Sequence, residues 1–240
     1  MYLIKLGGSV VTVKSRYRTF RWKVTAEILR IISGIQDQVI LVHGGGSFGH
    51  ILAKQYGIPG EITAERREGY SKVHMDMLDL NHRICKLVQS QIGPCVSIPP
   101  GVVLENLEES VSYYVGKKII PVTFGDTIFR GNRVEIISGD DIMFRIARKL
   151  SPEKVIFMSD VDGIYSSNPK EDFRARLIPV LSGKVKTSIT MTDVTGGMKG
   201  KIDCMKKIAK LGSTVYLING KKPERLATIG KDGFIGTVIE

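Results

Sequence analysis

Along this chain, short apolar runs repeatedly end in a glycine turn and give way to a segment with helical patterning. That alternation constrains the fold more than any other feature. Residues 2–6 lead into Gly7-Gly8-Ser9, residues 38–42 lead into His43-Gly44-Gly45-Gly46, and the run Val155-Ile156-Phe157-Met158 leads into Ser159-Asp160-Val161-Asp162-Gly163. A fourth glycine turn, Ser138-Gly139-Asp140, opens a helix-like stretch with Asp140 and Asp141 in its first turn. Helices are expected near residues 23–34, just after the glycine loop, over 64–91, over 138–150 and over the GGMKGKIDCMKKIAKLG segment stopped by Gly212. Residues 127–137 read as a hairpin around Gly131-Asn132. Strands alternating with helices predict a three-layer αβα sandwich around a largely parallel sheet. No linker or repeat divides residues 1–240, so one domain is expected, with lobes of about 1–138 and 139–240.

Composition removes several classes. The chain is 42% hydrophobic and 25% charged, as in an ordinary globular protein. No run of about 18 apolar residues predicts a membrane span. The opening MYLIKLGG reads as a strand and lacks the basic-then-apolar pattern of a secretory leader. The three scattered cysteines suit reduced thiols, so a cytoplasmic protein is expected. The formal charge of +11 would gather anions. No nucleic-acid motif accompanies it, so small phosphorylated substrates are the better match.

The loop VHGGGSFGH (residues 42–50) satisfies G-x-G-x-x-G through Gly44, Gly46 and Gly49. A dinucleotide site would need an acidic residue closing the next strand, but Glu65 and Glu68 fall in or before a helix. The P-loop pattern is absent, since Gly200-Lys201 is followed by Ile202. What remains is four glycine turns at strand ends, where open α/β sheets bind ligands and backbone can approach phosphate. Lys5 stands out because it lies in an otherwise apolar strand, where an ammonium needs an anionic partner.

KLGGS, HGGGSFGH, SDVDGIYSSNP and DVTGGMKGKI together resemble the amino acid kinase superfamily, and the form GGGSFGH resembles its isopentenyl phosphate kinase group. The resemblance runs from Lys5 to Lys201 and beyond. It implies ATP over the C-terminal half, an acceptor over the N-terminal half, and direct in-line transfer. Lys5, Lys14 and Lys201 would contact the transferring phosphate or the β/γ region. Asp160 would hold the lysine ammonium groups, against the competing role of a turn aspartate bonding local backbone. Gly7, Gly8, Ser9, Gly46, Asp162, Gly163, Tyr165, Gly196, Gly197 and Gly200 would lie near the nucleotide. Mg²⁺ is expected to ride on ATP and water, because no dedicated carboxylate cage is visible. Relatives of this group are commonly dimers, so a homodimer is expected.

The two histidines of the loop divide by role. A phosphate monoester carries about −1.5 to −2 charges at pH 7 and needs charge compensation rather than a general base. His50 would donate to an acceptor-phosphate oxygen, with Gly45, Gly46 and Gly139 adding backbone N–H donors, while His43 would pack structurally. For a five-carbon acceptor chain, the resemblance offers Tyr70, Val73, His74 and Met77 along the long helix, and Ile137, Ile142 and Met143 beside Gly139. Such a stripe is equally the pattern of plain core. The alternatives are a uridylate-type kinase, a kinase of another small phosphomonoester, and a binding protein on a retired kinase fold.

Overall fold

The computed structural model describes residues 1–169, 171–182 and 196–240. Strand β1 (Tyr2–Leu6) lies inside a mixed sheet, between β2 (Val39–His43) and β8 (Lys154–Ser159). Both neighbours are parallel to it, and Leu6 lies level with His43 on one side and Met158 on the other. Beyond β2 come β5 (Ile120–Phe124) and the edge strand β4 (Cys95–Ser97). Beyond β8 comes β12 (Thr214–Asn219), then β13 (Thr237–Ile239), which is antiparallel to β12, and β11 (Val180–Leu181). From β4 to β12 every pairing is parallel, as the alternation predicted.

Side chains alternate across this sheet. Ile4, Leu6 and Leu41 pack on the face covered by α2 (Trp22–Ile32), α3 (Gly46–Gln55) and α4 (Ala64–Gln91). Leu3, Val42 and Phe157 pack on the other face, under α6 (Leu107–Gly116), α7 (Gly139–Leu150) and α8 (Gly196–Ala209). Lys5 follows Leu3 in this alternation, so its side chain is sent toward α7 and α8.

Helix α4 matches its expected bounds. Thr63 caps it by accepting the Arg66 N–H, and Val73, Met77, Leu80, Ile84 and Val88 form its buried stripe. Helix α7 starts on a full capping box between Ser138 and Asp141. Edge strand β4 was hidden in the Pro- and Gly-punctuated residues 93–101, and α6 was not expected at all. A smaller sheet of β3 (Gly60–Glu61), β7 (Arg133–Ile137) and β6 (Asp126–Arg130) includes the expected hairpin, with Gly131 at φ +54°. The shorter elements include α1 (Gly8–Val11), α5 (Pro100–Val103) and the pair β9 (Ile164–Tyr165) with β10 (Leu177–Ile178).

The chain builds from β1 out to β4 and then returns across β1 to β8. The carboxyl ends of β1, β2 and β8 therefore flank a topological switch point, where α/β sheets open a crevice. The expected lobe boundary falls at the start of α7, and the sheet is continuous across it through the β1–β8 pairing. No helix among the described residues is long and apolar enough to cross a membrane.

Candidate active site

A cleft of about 530 Å³ opens at that switch point. Its glycine turns pack against one another before they meet any ligand. A Cβ at Gly8 would lie 2.3 Å from the Gly46 nitrogen, and one at Gly46 would lie 2.0 Å from Thr12 Oγ1. Gly46 also has φ +49°, a left-handed conformation that side chains resist. Thr12 joins the two turns: its hydroxyl donates to Gly8 O at 2.7 Å and accepts the Ser47 N–H at 2.9 Å.

The cations gather on two carboxylates. Lys5 Nζ lies 2.5 Å from Asp140 Oδ1, and Lys201 Nζ lies 3.6 Å from Asp140 Oδ2. Lys14 Nζ reaches Asp160 Oδ2 at 3.3 Å, Ser9 donates to Asp160 at 3.0 Å, and Lys221 stands 4.0 Å away. The expectation that Asp160 holds the lysines is thus corrected in part: it takes Lys14, while Asp140 takes Lys5 and Lys201. In the sequence Asp140 shows only as a first-turn helix acid. However, Asp141 alone completes the capping box, which left Asp140 free to point inward, and a second acid at that place was the available signal.

These neighbours set the protonation states. Burial pulls the Lys5 ammonium down to about 8, with the Lys201 charge adding to that and Asp140 opposing it. Asp140 and Asp160 are both held below the usual carboxylate range: their lysines outweigh a burial effect that pushes the other way. His50 sits exposed at the mouth of the cleft. Desolvation against the cleft wall lowers its pKa, and the charges of Lys14 and Lys5 lower it further. His43 is fully buried, stacked on Phe124 at 5.1 Å, with Nε2 on Asn81 Oδ1 at 3.1 Å, and burial drops its pKa to about 4.

The other expected residues divide between the cleft and its surroundings. Gly7, Gly8, Ser9, Gly45, Gly46, Val73, Met77, Gly139, Gly163 and Tyr165 line the cleft beside Lys5, Lys14, His50, Asp160 and Lys201. Tyr70 and His74 do not: the rings stack on each other at 6.0 Å, and His74 bonds Asp126 at 2.7 Å. Asp126 itself is on the wall, so His74 supplies a hydrogen bond to a buried acid close to an anion site. That bond raises the His74 pKa. Asp162 is also off the wall, held by Asn219 at 2.7 Å, Arg225 at 2.7 Å and Lys222 at 3.6 Å. Ile137 lines the cleft, whereas Ile142 and Met143 are wholly buried. Gly196 and Gly197 open α8, and Gly200 borders a smaller cavity of about 240 Å³ beside Asp140 and Lys201. Asp193, Val194 and Thr195 of the DVTGGMKGKI motif lie outside the described residues. Ile136, Met198 and Asn168 line the cleft without having been expected there.

Among the described residues no three His, Cys, Asp or Glu side chains gather as metal ligands. Asp140 and Asp160 face ammonium groups and Asp126 faces the His74 ring, so the protein's own donor set suits a polyanion rather than a bare cation.

The profile of the amino acid kinase family matches residues 1–219. Isopentenyl phosphate kinase of Thermoplasma acidophilum is 40% identical over the whole of both chains, and that of Methanothermobacter thermautotrophicus is 32% identical over 97% of this chain and 96% of its own. A crystal structure of the T. acidophilum enzyme as a product complex superposes with a TM-score of 0.89 at 37% identity, covering 100% of both chains. UMP kinase from Ureaplasma parvum gives a TM-score of 0.68 at 14% identity, covering 100% of this chain and 97% of its own, a likeness of fold alone.

Proposed function

The chain belongs to the amino acid kinase family, and on that premise we propose that it transfers the γ-phosphoryl group of ATP to isopentenyl phosphate, forming isopentenyl diphosphate. One observation carries the choice of acceptor. The cleft joins the ammonium groups of Lys5, Lys14 and Lys201, with the His50 imidazole beside them, to an apolar wall of Ala53, Val73, Met77 and Ile136. A phosphate on a short hydrocarbon fits both ends. The Thermoplasma acidophilum and Methanothermobacter thermautotrophicus relatives carry the corresponding name.

The acceptor phosphate oxygen attacks the γ-phosphorus in line, its new P–O bond forms as the β,γ-bridging P–O bond breaks, and ADP leaves. The attacking oxygen is already ionised at pH 7, so no base is needed. His50 and the Gly45 and Gly46 amides hold the acceptor phosphate. Lys14 and Lys5 offset the charge spreading over the transferring group, and Lys201 serves the β/γ oxygens. Asp140 and Asp160 keep those ammonium groups aimed. Tyr165 and the Gly163 turn face the nucleoside, and the N-terminus of α8 faces its phosphates. Mg²⁺ carried on ATP would supply charge neutralisation at the polyphosphate, and no carboxylate of the chain is assigned to hold it. The N-terminal half serves the acceptor and the C-terminal half the nucleotide. A cytoplasmic homodimer completes the reading, in keeping with the sparse unpaired cysteines.

A coupled ADP-release assay with isopentenyl phosphate or UMP as acceptor tests it. Turnover should favour isopentenyl phosphate by at least about 10²-fold in kcat/KM, since a nucleobase leaves its polar edges unpaired against an apolar wall. A preference for UMP would transfer the chain to the uridylate-type reading.

Binding should also consume protons. In the free protein the Lys5 pKa is about 8 and that of His50 lies below its ordinary 6.5. A bound anion raises both. Between free and bound values the complex holds more protons than the free protein, so affinity falls as pH rises through each window. Calorimetry of ATP binding at pH 8.5 in buffers of different ionisation heat should therefore register uptake of a fraction of a proton. Identical heats after buffer correction would show that Lys5 does not change its charge.

A further inference from the structure

Lys14 sits near the tip of a hairpin whose base is the Thr12–Phe20 bridge, with the Val13 N–H donating to Thr19 O at 2.9 Å. Its side chain is 66% exposed, and its contact with Asp160 is the kind of surface pair that fixes little by itself. The hairpin, by contrast, is tied down firmly. Tyr17 Oη donates to Asp76 Oδ2 at 2.6 Å, Arg18 Nε lies 3.4 Å from Asp76 Oδ1, and Arg18 Nη2 donates to Asp79 Oδ2 at 2.6 Å. Arg83, one turn along α4, holds Asp79 through two further bonds of 3.1 and 3.0 Å.

Two features mark this cluster as more than surface charge. Arg18 adopts φ +50°, a conformation that costs a side-chain-bearing residue free energy and persists only where its surroundings impose it. Asp76 is buried, with a side chain only 8% exposed, and falls in the stripe of α4 between Val73 and Met77, both on the cleft wall. An acid placed in that stripe needs a donor. Tyr17 supplies it and keeps its proton, because burial of the hydroxyl and the Asp76 carboxylate push the phenol up to about 12. On the other side the hairpin meets α3, where the Thr19 N–H donates to Ser47 Oγ at 3.4 Å, three residues before His50. The Lys14 hairpin is thus bolted to the two helices that carry His50 and the apolar wall.

We propose that Tyr17, Arg18 and Asp76 are positioning residues that clasp the Lys14 hairpin to α4 and so register the Lys14 ammonium over the transferring phosphoryl group. This rests on the kinase reading above. A displacement of about 1 Å in such a group costs up to roughly 10²-fold in rate, so a loosened clasp should appear in turnover rather than in nucleotide binding.

The test uses the full chain carrying Tyr17→Phe, with Asp76→Asn as a second variant. Tyr17 is 48% exposed, so loss of its hydroxyl leaves the core intact. First, amide hydrogen exchange in the ligand-free protein should quicken by about tenfold for residues 13–19 and stay unchanged in the sheet. This arm is independent of any substrate, so it decides the clasp even if isopentenyl phosphate is not turned over. Second, Tyr17→Phe should lower kcat about tenfold with the ATP KM nearly unchanged, and should lower it by less than about twofold in a Lys14→Ala background. Unchanged exchange in residues 13–19 would overturn the clasp. An equal loss of kcat in both backgrounds would show a merely structural role.

Discussion

Asp140→Asn is expected to lower kcat on the order of 10³-fold at pH 7 while the protein stays folded. The variant keeps the shape of the side chain and removes its charge. Lys5 and Lys201 both lie against that carboxylate, at 2.5 and 3.6 Å. Burial already draws Lys5 down to about 8 with Asp140 beside it. Without the carboxylate, burial and the Lys201 charge lose their main opponent, and the Lys5 ammonium gives up its proton more readily. A neutral amine cannot offset the charge of a transferring phosphoryl group. The same deprotonation protects the fold, because no unpaired buried charge remains. Steady-state kinetics and a urea midpoint separate the two effects. A kcat within a few-fold of wild type would refute the organising role of Asp140.

His50→Ala should cost about 10²-fold in kcat, with the ATP KM within about twofold. His50 lines the cleft from α3, a different element from the Gly163 and Tyr165 turn assigned to the nucleoside. Its lowered pKa makes it a neutral donor in the free protein that gains a proton as the dianion arrives. His50→Gln keeps a donor of similar reach and cannot gain charge. It should recover part of the rate, and its acceptor affinity should lose the fall expected as pH rises through the window between the free and phosphate-bound pKa of His50. If alanine turns over as fast as histidine, the acceptor phosphate is held by backbone alone.

The layered fold was legible because its signals are local: apolar runs, glycine turns and a helical stripe that set the bounds of α4. Lys5 was legible for a related reason, as a lone ammonium in an apolar strand. What escaped depends on chain segments far apart. Asp140 meets Lys5 across 135 positions, and adjacent acids at a helix start look alike until one is seen to close the capping box. Asp76 meets Tyr17 across 59 positions. Its one sequence trace is an acid within the apolar stripe of α4, where the apolar members dominate the pattern. Tyr70 and His74 share that helix face, yet their rings turn to each other and to Asp126. Helical spacing gives direction, not which neighbour waits there. Strand β4 escaped because three residues between prolines and a glycine carry too little pattern to outweigh their punctuation.

The interlocked turns at Gly8 and Gly46 have a consequence for anyone who diversifies this scaffold. Because each backbone fills the space a methyl group on the other would need, the two loops behave as a single unit under mutation. An insertion or a bulkier residue in one is felt at once by its counterpart some forty positions away. Libraries that randomise either loop separately should return mostly inactive clones, and productive variants should arise where both are redrawn together.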